Sequence, residues 1–484
     1  MMTTYEAVIG LETHIQLNTI TKIFCSCKAD SSGADANTNI CPVCTGMPGV
    51  LPVFNAAVAE KGVILAHAMH AEVQNVSIFD RKNYFYPDLP KGYQISQFFK
   101  PIALGGYLDV PMAARGDQEA YTRRVGINRL HLEEDAGKSK HAYGKMQVDF
   151  NRCGVPLVEM VTEPDLRTAQ EASQYLTQLR QLLRWLGISE ADMEKGHLRC
   201  DANVSIREKG ATILNNKTEI KNVNSIDAVE KAIEKEVERQ IKLAEAGEEV
   251  RPWTLEWDAD QSILRKMRSK ETAADYRYFQ EPDLLEVKLS AEEIVGFLKD
   301  FPELPLERCQ RLIDAYGLPS YDAEVLTAER VLSEYFERAV KAYAGDAKKV
   351  SNWVMNDILR MMNDEGITAG QLKLSPEGLA SLLKMLDEKK INQPTAKSLL
   401  RKVQESGKSP EQIVKEEGLG VVSDDAAIRA VCEKLMADNP KEVESYRAGK
   451  DSLIGWFVGQ VMREMRGKAD PGLAREVMET LLKG

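Results

Sequence analysis

The feature that most constrains the fold of this chain is a change in its hydrophobic periodicity near residue 300. Before that point, apolar and polar residues alternate over short runs that end in Gly or Pro, which is typical of β-strands joined by turns. After Pro302, apolar residues recur at helical spacing, and sequences such as Ser375-Pro376-Glu377 and Ser409-Pro410-Glu411 are suited to helix starts. We therefore predict an α+β fold, in which a mostly antiparallel sheet domain is followed by an all-helical region.

The chain is too long for a single hydrophobic core. Its 484 residues exceed the size at which one core stops growing. We predict a sheet domain over residues 1–300, a helical domain over 301–417 and a helical tail over 418–484, with the last boundary at Gly418-Leu419-Gly420. Within the sheet domain, a helix is expected to begin at Thr168 with a capping box to Glu171 and to end at Gly187.

Composition limits the class of protein. No stretch approaches the ~20 uninterrupted apolar residues of a membrane span, and the sequence MMTTYEAVIGLE has no basic leader before a compact apolar run. We therefore predict a cytoplasmic protein with no membrane partner. The formal net charge of −11 argues against indiscriminate binding of nucleic acid, whose phosphates favour dense Lys and Arg. A nucleic-acid partner would need a local basic patch.

Four of the eight cysteines form the sharpest local motif. They are Cys25, Cys27, Cys41 and Cys44. In their C-x-C-x13-C-x2-C spacing, each close pair can occupy one edge of a tetrahedral zinc ion. Four thiolates leave no open coordination position, so we predict a structural Zn²⁺ that holds a loop in place. The alternative is four ordinary buried cysteines or a redox pair.

Acidic side chains recur on one face of four predicted strands. When each strand is interpreted with a period of two, apolar residues point to one face and the acids to the other. The residues on the acidic face or at its end are Glu12 and His14 in GLETHIQL, Glu133 and Glu134 in INRLHLEED, Asp201 in RCDANVSI and Glu219 in KTEIKNVNS. If these strands are neighbours, their carboxylates suit hard divalent cations, and the interleaved Lys and Arg suit phosphate oxygens. The alternative is a solvated sheet face with ordinary surface charges.

An aromatic loop lies between these strands in the sequence. In KNYFYPDLPKGYQISQ, aromatic residues crowd around two prolines, a lysine and a glycine, a composition that suits stacking against adenine or another base. We predict nucleotide or substrate contacts at Lys82, Tyr84, Tyr86, Lys91 and Gln94. The alternative is a rigid loop that packs on the core. Because the sequence has no G-x-x-x-x-G-K-[ST] motif, any ATP is bound without a P-loop.

Eight motifs follow one another in order along the chain. They are GLETHIQL, the four cysteines with CPVCTGMPG, RKNYFYPDLPKGYQISQ, INRLHLEEDAGK, DFNRCGVPLVEMVTEPD, RCDANVSIR, EIKNVNS and DYRYFQEPDL. Together they resemble the B-subunit family of the aspartyl/glutamyl-tRNA amidotransferases. The resemblance implies a cradle domain with a zinc-bound loop and a kinase and transamidase site, a helical domain, and a small helical YqeY-like tail that contacts tRNA. Ala274 and Gln280 depart from the family pattern, so we assign no role to residues 276–279.

The resemblance also implies an activity, cofactors and partners. The family uses ATP to activate the side-chain carboxylate of Glu-tRNA(Gln) and/or Asp-tRNA(Asn), which ammonia then amidates. The implied partners are an amidase-type glutaminase, the A subunit, which supplies the ammonia, and a small C subunit. The implied catalytic residues are Glu12, His14, Glu133, Glu134, Asp201 and Glu219, with Mg²⁺ at Glu12, His14, Glu134, Asp201 and Glu219. This chain has no G-x-C-x-G nucleophile of its own, so the glutaminase must be the partner.

The best local candidate for tRNA contact is the sequence GQVMREMRGKADPG. In it, Arg463, Arg466 and Lys468 cluster near a predicted helix end. Residues 418–484 contain ten Lys plus Arg against eleven Asp plus Glu, so contact would depend on where these three residues lie. The alternative is a solvated helix end.

Two other functions are compatible with the same sequence. One is a zinc-containing, RNA-binding scaffold without catalysis, whose acids are only surface charges. The other is a metal-dependent phosphodiesterase that uses the carboxylates to activate water on RNA.

Overall fold

The structure is a computed structural model that describes residues 5–142, 144–269, 276–420, 425–465 and 469–483. It divides into two compact units, Met1–Leu304 and Pro305–Gly484. The predicted sequence of a sheet domain followed by helices is confirmed, because the described residues beyond Lys288 contain no strand. The three-domain division stays a prediction.

The first unit contains all of the described strands and four helices. The strands are β1 (Tyr5–Gln16), β2 (Glu72–Val73), β3 (Val76–Ser77), β4 (Asp80–Asn83), β5 (Tyr93–Ser96), β6 (Ala103–Leu104), β7 (Tyr107–Met112), β8 (Tyr121–Glu134), β9 (Lys138–Ala142), β10 (Lys145–Asp149), β11 (Pro156–Thr162), β12 (Leu198–Glu208), β13 (Thr218–Val223), β14 (Trp253–Asp258), β15 (Ile263–Ser269), β16 (Phe279–Gln280) and β17 (Val287–Lys288). The helices are α1 (Ala56–Ala68), α2 (Ala169–Trp185), α3 (Ile226–Glu245) and α4 (Ala291–Phe297).

The main sheet has the strand order β15-β14-β13-β12-β1-β11-β8-β6-β2, with β7 also paired to β8. Its described pairings are antiparallel except β13 with β14, which confirms a mostly antiparallel sheet. The four strands predicted to carry acids lie within the block β13-β12-β1-β11-β8. They are therefore close neighbours, separated only by β11 between β1 and β8.

The core of the first unit lies between one face of this sheet and helices α1 to α3. Ile9 and Leu11 of β1 are almost completely buried there, together with Leu179 of α2 and Ile233 of α3. Because side chains alternate along a strand, burial of this face directs Glu12 and His14 to the opposite one. Burial of the apolar face therefore fixes which side of the sheet carries the acids.

Helix α2 begins as predicted, but its capping box is only half formed. The Thr168 hydroxyl accepts a hydrogen bond from the Glu171 N–H, as expected of an N-cap. The Glu171 carboxylate does not return to Thr168. It accepts from the Arg167 N–H, the Arg123 Nε–H and the Tyr121 hydroxyl instead, because strand β8 brings two donors to it.

The second unit is helical throughout its described residues. Its α-helices are α5 (Pro305–Tyr316), α6 (Ser320–Leu326), α7 (Arg330–Tyr343), α8 (Ala347–Trp353), α9 (Leu359–Glu365), α10 (Pro376–Asp387), α11 (Gln393–Ser406), α12 (Pro410–Glu417), α13 (Asp425–Asp438), α14 (Pro440–Arg447), α15 (Leu453–Glu464) and α16 (Pro471–Lys483). A π-helical turn, Val354–Ile358, joins α8 to α9, and a 3-10 turn spans Ala369–Gln371. The predicted starts at Pro376 and Pro410 are confirmed. None of the helices in the described ranges is long and apolar enough to span a membrane.

Candidate functional site

Strand β1 supplies the centre of the candidate site. Its residue Glu12 lies opposite Asp201 of β12, and His14 lies opposite Glu159 of β11. The His14 Nε2 atom is 3.8 Å from Glu12 Oε1 and 3.5 Å from Glu159 Oε2. These three side chains could offer ligand atoms that all lie within 4.8 Å of one another, close enough to hold one metal ion.

A second group shares Glu159 with the first. The His131 Nε2 atom of β8 lies 3.1 Å from Glu159 Oε2 and 3.8 Å from Glu133 Oε2. His131, Glu133 and Glu159 are all buried, and they also could place one ligand atom each within 4.8 Å of the others. Glu133 Oε1 is in turn 3.9 Å from His14 Nε2. The two groups therefore form one continuous cluster, which we call the Glu159 cluster: Glu12, His14, His131, Glu133 and Glu159.

Burial and the closeness of charged side chains shift the pKa values of residues in the Glu159 cluster. Burial and the charge of Glu159 both raise the pKa of Glu12. Burial alone would lower the pKa of His14, but its hydrogen bond to Glu159 and the Glu159 charge outweigh that effect and raise it to about 9. Burial would raise the pKa of Glu159, yet the imidazoles of His131 and His14 hold it well below its usual value. Without a bound cation, Glu159 is thus the acid that the imidazoles stabilise as a carboxylate.

Strands β12 and β13 add a second charged group beside Glu12. The Lys221 ammonium contacts the Asp201 carboxylate and lies 3.2 Å from Glu219 Oε1. Burial would lower the pKa of Lys221, but the charges of Asp201 and Glu219 raise it above its ordinary value. A register shift in the β12–β13 pairing lies between Cys200 and Ala202, beside Asp201. Asp201 and Glu219 are therefore brought to the site, with a lysine between them.

Glu134, which the family resemblance implies as a Mg²⁺ ligand, lies apart from this group. Its carboxylate contacts the Lys91 ammonium, and its Oε1 accepts a 2.9 Å hydrogen bond from the Ile95 N–H. Adjacent residues of a strand face opposite sides, so Glu133 joins the Glu159 cluster while Glu134 turns away. Lys91 is correspondingly committed to a buried ion pair.

Lys82 approaches the cluster from a separate three-stranded sheet, β16-β4-β5. Burial would lower its pKa, but the charges of Glu133 and Glu159 raise it above its ordinary value. The Tyr84 hydroxyl donates to Gln94 Oε1 (3.2 Å). Lys82, Tyr84 and Gln94 of the predicted nucleotide-binding set therefore lie together beside the carboxylates.

Aromatic rings surround this lysine. The Lys82 Nζ atom lies 5.2 Å from the ring centroid of Tyr276, and Tyr278 stacks on Phe98 with centroids 4.1 Å apart. Tyr86 is exposed over 56% of its surface and lies edge-on to Tyr84. Residues 276–279, to which the sequence analysis assigned no role, thus contribute two rings next to Lys82.

The four cysteines of the predicted zinc motif converge. Their sulfur atoms lie within 4.8 Å of one another. The Cys44 sulfur accepts a 3.2 Å hydrogen bond from the Cys41 N–H, and the fully buried Lys22 ammonium lies 3.7 Å from it. Hydrogen bonding from the Cys25 thiol and the charge of Lys22 lower the pKa of Cys44 to about 5. Four cysteine sulfur atoms this close together could bind one metal ion.

The predicted tRNA-contacting residues are only partly described. Arg463 lies on α15 with its side chain exposed. Arg466 and Lys468 lie outside the described residues, so their prediction is not tested. Around α15, the helices α13 to α16 bury a core of their own that includes Phe457, Val461 and Met478.

The residues that the sequence prediction missed carried a recognisable signal. Strand β11 does not alternate, and Glu159 is the only charged residue in its run Leu157, Val158, Met160 and Val161; a lone acid in an otherwise apolar strand was the available signal. His131 sits two residues before Glu133, on the same face. Alternation in KTEIKNVNS places Lys221 on the same face as Glu219, but its contact with Asp201 had no signal because it depends on how β12 and β13 pair.

Comparison of the sequence with known protein families identifies the family of the chain that carries this site. Residues 7–295, which hold every residue of the Glu159 cluster, match the sequence profile of the GatB/GatE catalytic domain. Residues 334–482 match the profile of the GatB domain.

Full-length relatives agree with these profiles. The chain is 50% identical over 480 residues to the B subunit of the aspartyl/glutamyl-tRNA(Asn/Gln) amidotransferase of Thermodesulfovibrio yellowstonii, covering 99% of each chain. It is 48% identical to the protein of the same name from Thermotoga maritima, again covering 99% of each, and 47% identical to that of Persephonella marina. The chain therefore belongs to the GatB family of amidotransferase B subunits.

Proposed function

We propose that this chain is the component of a tRNA-dependent amidotransferase that activates the side-chain carboxylate of Glu-tRNA(Gln), Asp-tRNA(Asn) or both and converts it to the amide. The observation that carries the proposal is the Glu159 cluster in a chain whose relatives are named as B subunits of aspartyl/glutamyl-tRNA(Asn/Gln) amidotransferases. Lys82 adds positive charge at its edge, which phosphate oxygens require. Lys221 is paired with Asp201 and Glu219 and holds those two acids in place.

The chemistry explains why ATP is needed. A carboxylate is a poor acyl donor, because displacement by ammonia would have to expel oxide. In the proposed reaction, one carboxylate oxygen of the substrate attacks the γ-phosphorus of ATP, and the bond to the bridging oxygen breaks to release ADP. Ammonia then attacks the acyl carbon of the resulting acyl phosphate and gives up a proton, and phosphate leaves with the electrons of the carbon–oxygen bond. The task of the protein is to hold the reacting groups in line and offset their charge.

Two members of the cluster fit a hard divalent cation: Glu12 and Glu159 offer carboxylate oxygens, the donors that such cations favour. The His14 imidazole could be a third donor only after cation binding displaces its proton, because its pKa is raised to about 9. When bound, Mg²⁺ would supply the positive charge that offsets the phosphates of ATP. We propose that Asp201 and Glu219 complete the acidic surroundings, and that Glu133 acts in the position that the sequence analysis assigned to Glu134.

We propose that ATP lies against Lys82 and the rings beside it. The exposed Tyr86 ring is available for stacking against adenine, and the Tyr84 hydroxyl and Gln94 are held in one hydrogen-bonded pair. Lys91 is buried against Glu134, so we propose that it positions the loop and does not contact phosphate.

The remaining parts of the proposal are the zinc ion, the partners and the compartment. We propose that Zn²⁺ occupies the four-cysteine site as a structural ion, since four thiolates leave no position for substrate. We propose a cytoplasmic complex with an amidase-type A subunit, which supplies ammonia, and a small C subunit.

The test of this function is conversion of purified misacylated tRNA by the complex of this chain with its partner subunits. Product amide should require ATP and glutamine together, and comparison of Glu-tRNA(Gln) with Asp-tRNA(Asn) identifies the substrate. A complex that binds tRNA without consuming ATP would instead support the alternative of a zinc-containing, RNA-binding scaffold without catalysis. Cleavage of the tRNA in the presence of Mg²⁺ would support the phosphodiesterase.

The tail should affect tRNA binding and not chemistry. Removing residues from Gly418 onward deletes α13 to α16 with their own core, and with them the exposed Arg463. We expect the Michaelis constant for misacylated tRNA to rise roughly tenfold, with glutamine hydrolysis unchanged. The milder variant Arg463→Glu with Arg466→Glu should flatten the salt dependence of tRNA binding. Equal affinity of truncated and full-length complexes across a salt series would contradict a tRNA-binding tail.

A further inference from the structure

A basic hairpin extends from the end of the strand that carries Glu133. Strands β9 and β10 pair only with each other among the described residues. The side chains of Lys138, Lys140 and Lys145 are exposed, and Met146 is exposed over 45% of its surface. Two strands alone are marginally stable in water, so a hairpin of this kind has to be held at its base.

The four-cysteine loop holds one side of that base. The Asn37 amide, between Cys27 and Cys41 in the sequence, donates to the Val148 carbonyl (3.0 Å) and accepts from the Phe150 N–H (2.8 Å). The Asn39 N–H donates to the side chain of Asn151 at 2.8 Å. The loop that the metal site closes is therefore attached directly to the hairpin.

The other side of the base is tied to the rest of the sheet unit. Arg152 donates to the carbonyls of Ala136 (2.9 Å) and Gly137 (2.6 Å), and the Gly137 N–H donates to the Asp88 carbonyl (2.8 Å). A Cβ atom at Gly137 would lie 2.8 Å from the Asp149 carbonyl, so this approach requires glycine. The hairpin is thus fixed at both strands of its base.

The three lysines occupy one face of the hairpin. Lys138 and Lys140 are two residues apart and so point the same way. Lys145 pairs across the strands with Ala142, which is two residues beyond Lys140, and cross-strand partners share a face. Residues 138–149 contain one acid, Asp149, which accepts backbone hydrogen bonds at the base. Within the described part of the chain, none of the three lysines has an ion-pair partner.

The lysine face begins a short distance along the chain from the candidate site. Lys138 is the fifth residue after Glu133, so the two Cα atoms are at most ~18 Å apart. Asp149 is the cross-strand partner of Lys138, but its carboxylate accepts backbone hydrogen bonds, so the face keeps a net positive charge in a chain whose net charge is −11. The charge of the three lysines complements a polyanion. The proposed reaction brings two polyanions to Glu133 and Glu159, ATP and the aminoacylated end of tRNA; ATP is proposed to lie against Lys82, and tRNA has the longer run of phosphates that a face of three lysines can follow.

We propose that the face formed by Lys138, Lys140 and Lys145 binds the sugar-phosphate backbone of tRNA near its aminoacylated end. The inference rests on the proposed function, which supplies the tRNA. The hairpin acts as a positioning element: it holds the backbone while the amino-acid side chain enters the Glu159 cluster. Phosphate contacts of this kind fix register without selecting sequence.

The test uses the complex with its partner subunits and the variant Lys138→Ala with Lys140→Ala and Lys145→Ala. The matched control is Lys231→Ala with Lys235→Ala and Lys242→Ala, three exposed lysines on α3. Helix α3 packs on the opposite face of the sheet from Glu219, because its Glu236 accepts from the Thr218 hydroxyl. Affinity for misacylated tRNA is measured over a series of salt concentrations, together with the Michaelis constant for tRNA and glutamine hydrolysis.

Loss of three phosphate contacts should reduce the slope of log affinity against log salt by about 2 to 3 and weaken binding at least tenfold at low salt. Glutamine hydrolysis and the control variant should stay at the wild-type level. The proposal is overturned if the hairpin variant binds tRNA with unchanged affinity and an unchanged salt slope. It is also overturned if the variant loses its partner subunits instead of tRNA affinity, because this face would then be a protein contact. Failure of the wild-type complex to amidate misacylated tRNA would contradict the proposed function itself.

Discussion

Each of the substitutions Glu12→Gln, His14→Ala, Glu159→Gln and Asp201→Asn is expected to reduce amide formation at least ~100-fold, while the glutamine hydrolysis carried out by the partner stays measurable. Three of these side chains, Glu12, His14 and Glu159, could hold one cation between them, and Asp201 lies opposite Glu12 on the next strand. Removing one donor lowers the positive charge available to the phosphates of ATP. The measurement is the initial rate of amide formation with saturating ATP and tRNA, alongside the rate of glutamine hydrolysis.

The stability of each variant separates loss of chemistry from loss of fold. In the metal-free complex, burial and the Glu159 charge raise the pKa of Glu12 and so disfavour its charged form. Replacing it with a neutral amide should therefore not lower the melting temperature. His14→Ala removes a positive charge from between Glu159 and Glu133, so this variant can lose stability as well as activity. The matched control is Asp109→Asn on β7, whose carboxylate pairs with Arg124. Wild-type amide formation in all four variants would contradict the site.

The double substitution Cys41→Ser with Cys44→Ser should abolish zinc binding and lower the first melting transition by roughly 10 °C or more. A closed tetrathiolate site contributes folding free energy directly, and a loss of several kcal/mol shifts the melting of a unit this large by that amount. Elemental analysis should find about one zinc per wild-type chain and none in the variant.

The double cysteine substitution should also loosen the β9–β10 hairpin locally. Asn37 and Asn39 of the same loop hold the base of the β9–β10 hairpin, so backbone amides of residues 138–149 should exchange faster with solvent deuterium in the double variant. Cys309→Ser, far from the cluster in the sequence, is the control and should change neither zinc content nor exchange. Absence of zinc from freshly purified wild-type protein, or an unchanged melting temperature, would rule out a structural zinc site.

Much of the fold could be predicted from sequence because its signals are local. The alternation in β1 and β12 and the Pro-initiated helices α10 and α12 are properties of short segments. The order of strands is not, since β11 pairs between β1 and β8 although it follows β1 by more than 130 residues. The capping box at Thr168 was half right for the same reason: β8, distant in sequence, offers Glu171 better donors.

The residues of the candidate site also differ in whether a local sequence pattern could predict them. Glu12, His14 and Glu133 follow from alternation on their own strands, and the structure brings them together. Glu134 lies apart from them because one residue along a strand reverses the face, and its carboxylate then meets Lys91. Alternation places Lys221 on the Glu219 face, but its contact with Asp201 could not be predicted, because it lies beside a register shift that no pattern in the sequence indicates.

The most direct test of the central claim follows oxygen from substrate to phosphate. Misacylated tRNA whose side-chain carboxylate carries ¹⁸O is converted by the wild-type complex with ATP and glutamine, and the released inorganic phosphate is analysed by mass spectrometry. Activation as an acyl phosphate predicts one substrate-derived oxygen in each phosphate released during amide formation, and greatly reduced ¹⁸O transfer in the Glu159→Gln complex. Amide formation with phosphate that carries no ¹⁸O would contradict phosphorylation of the side chain and, with it, the role assigned to the Glu159 cluster.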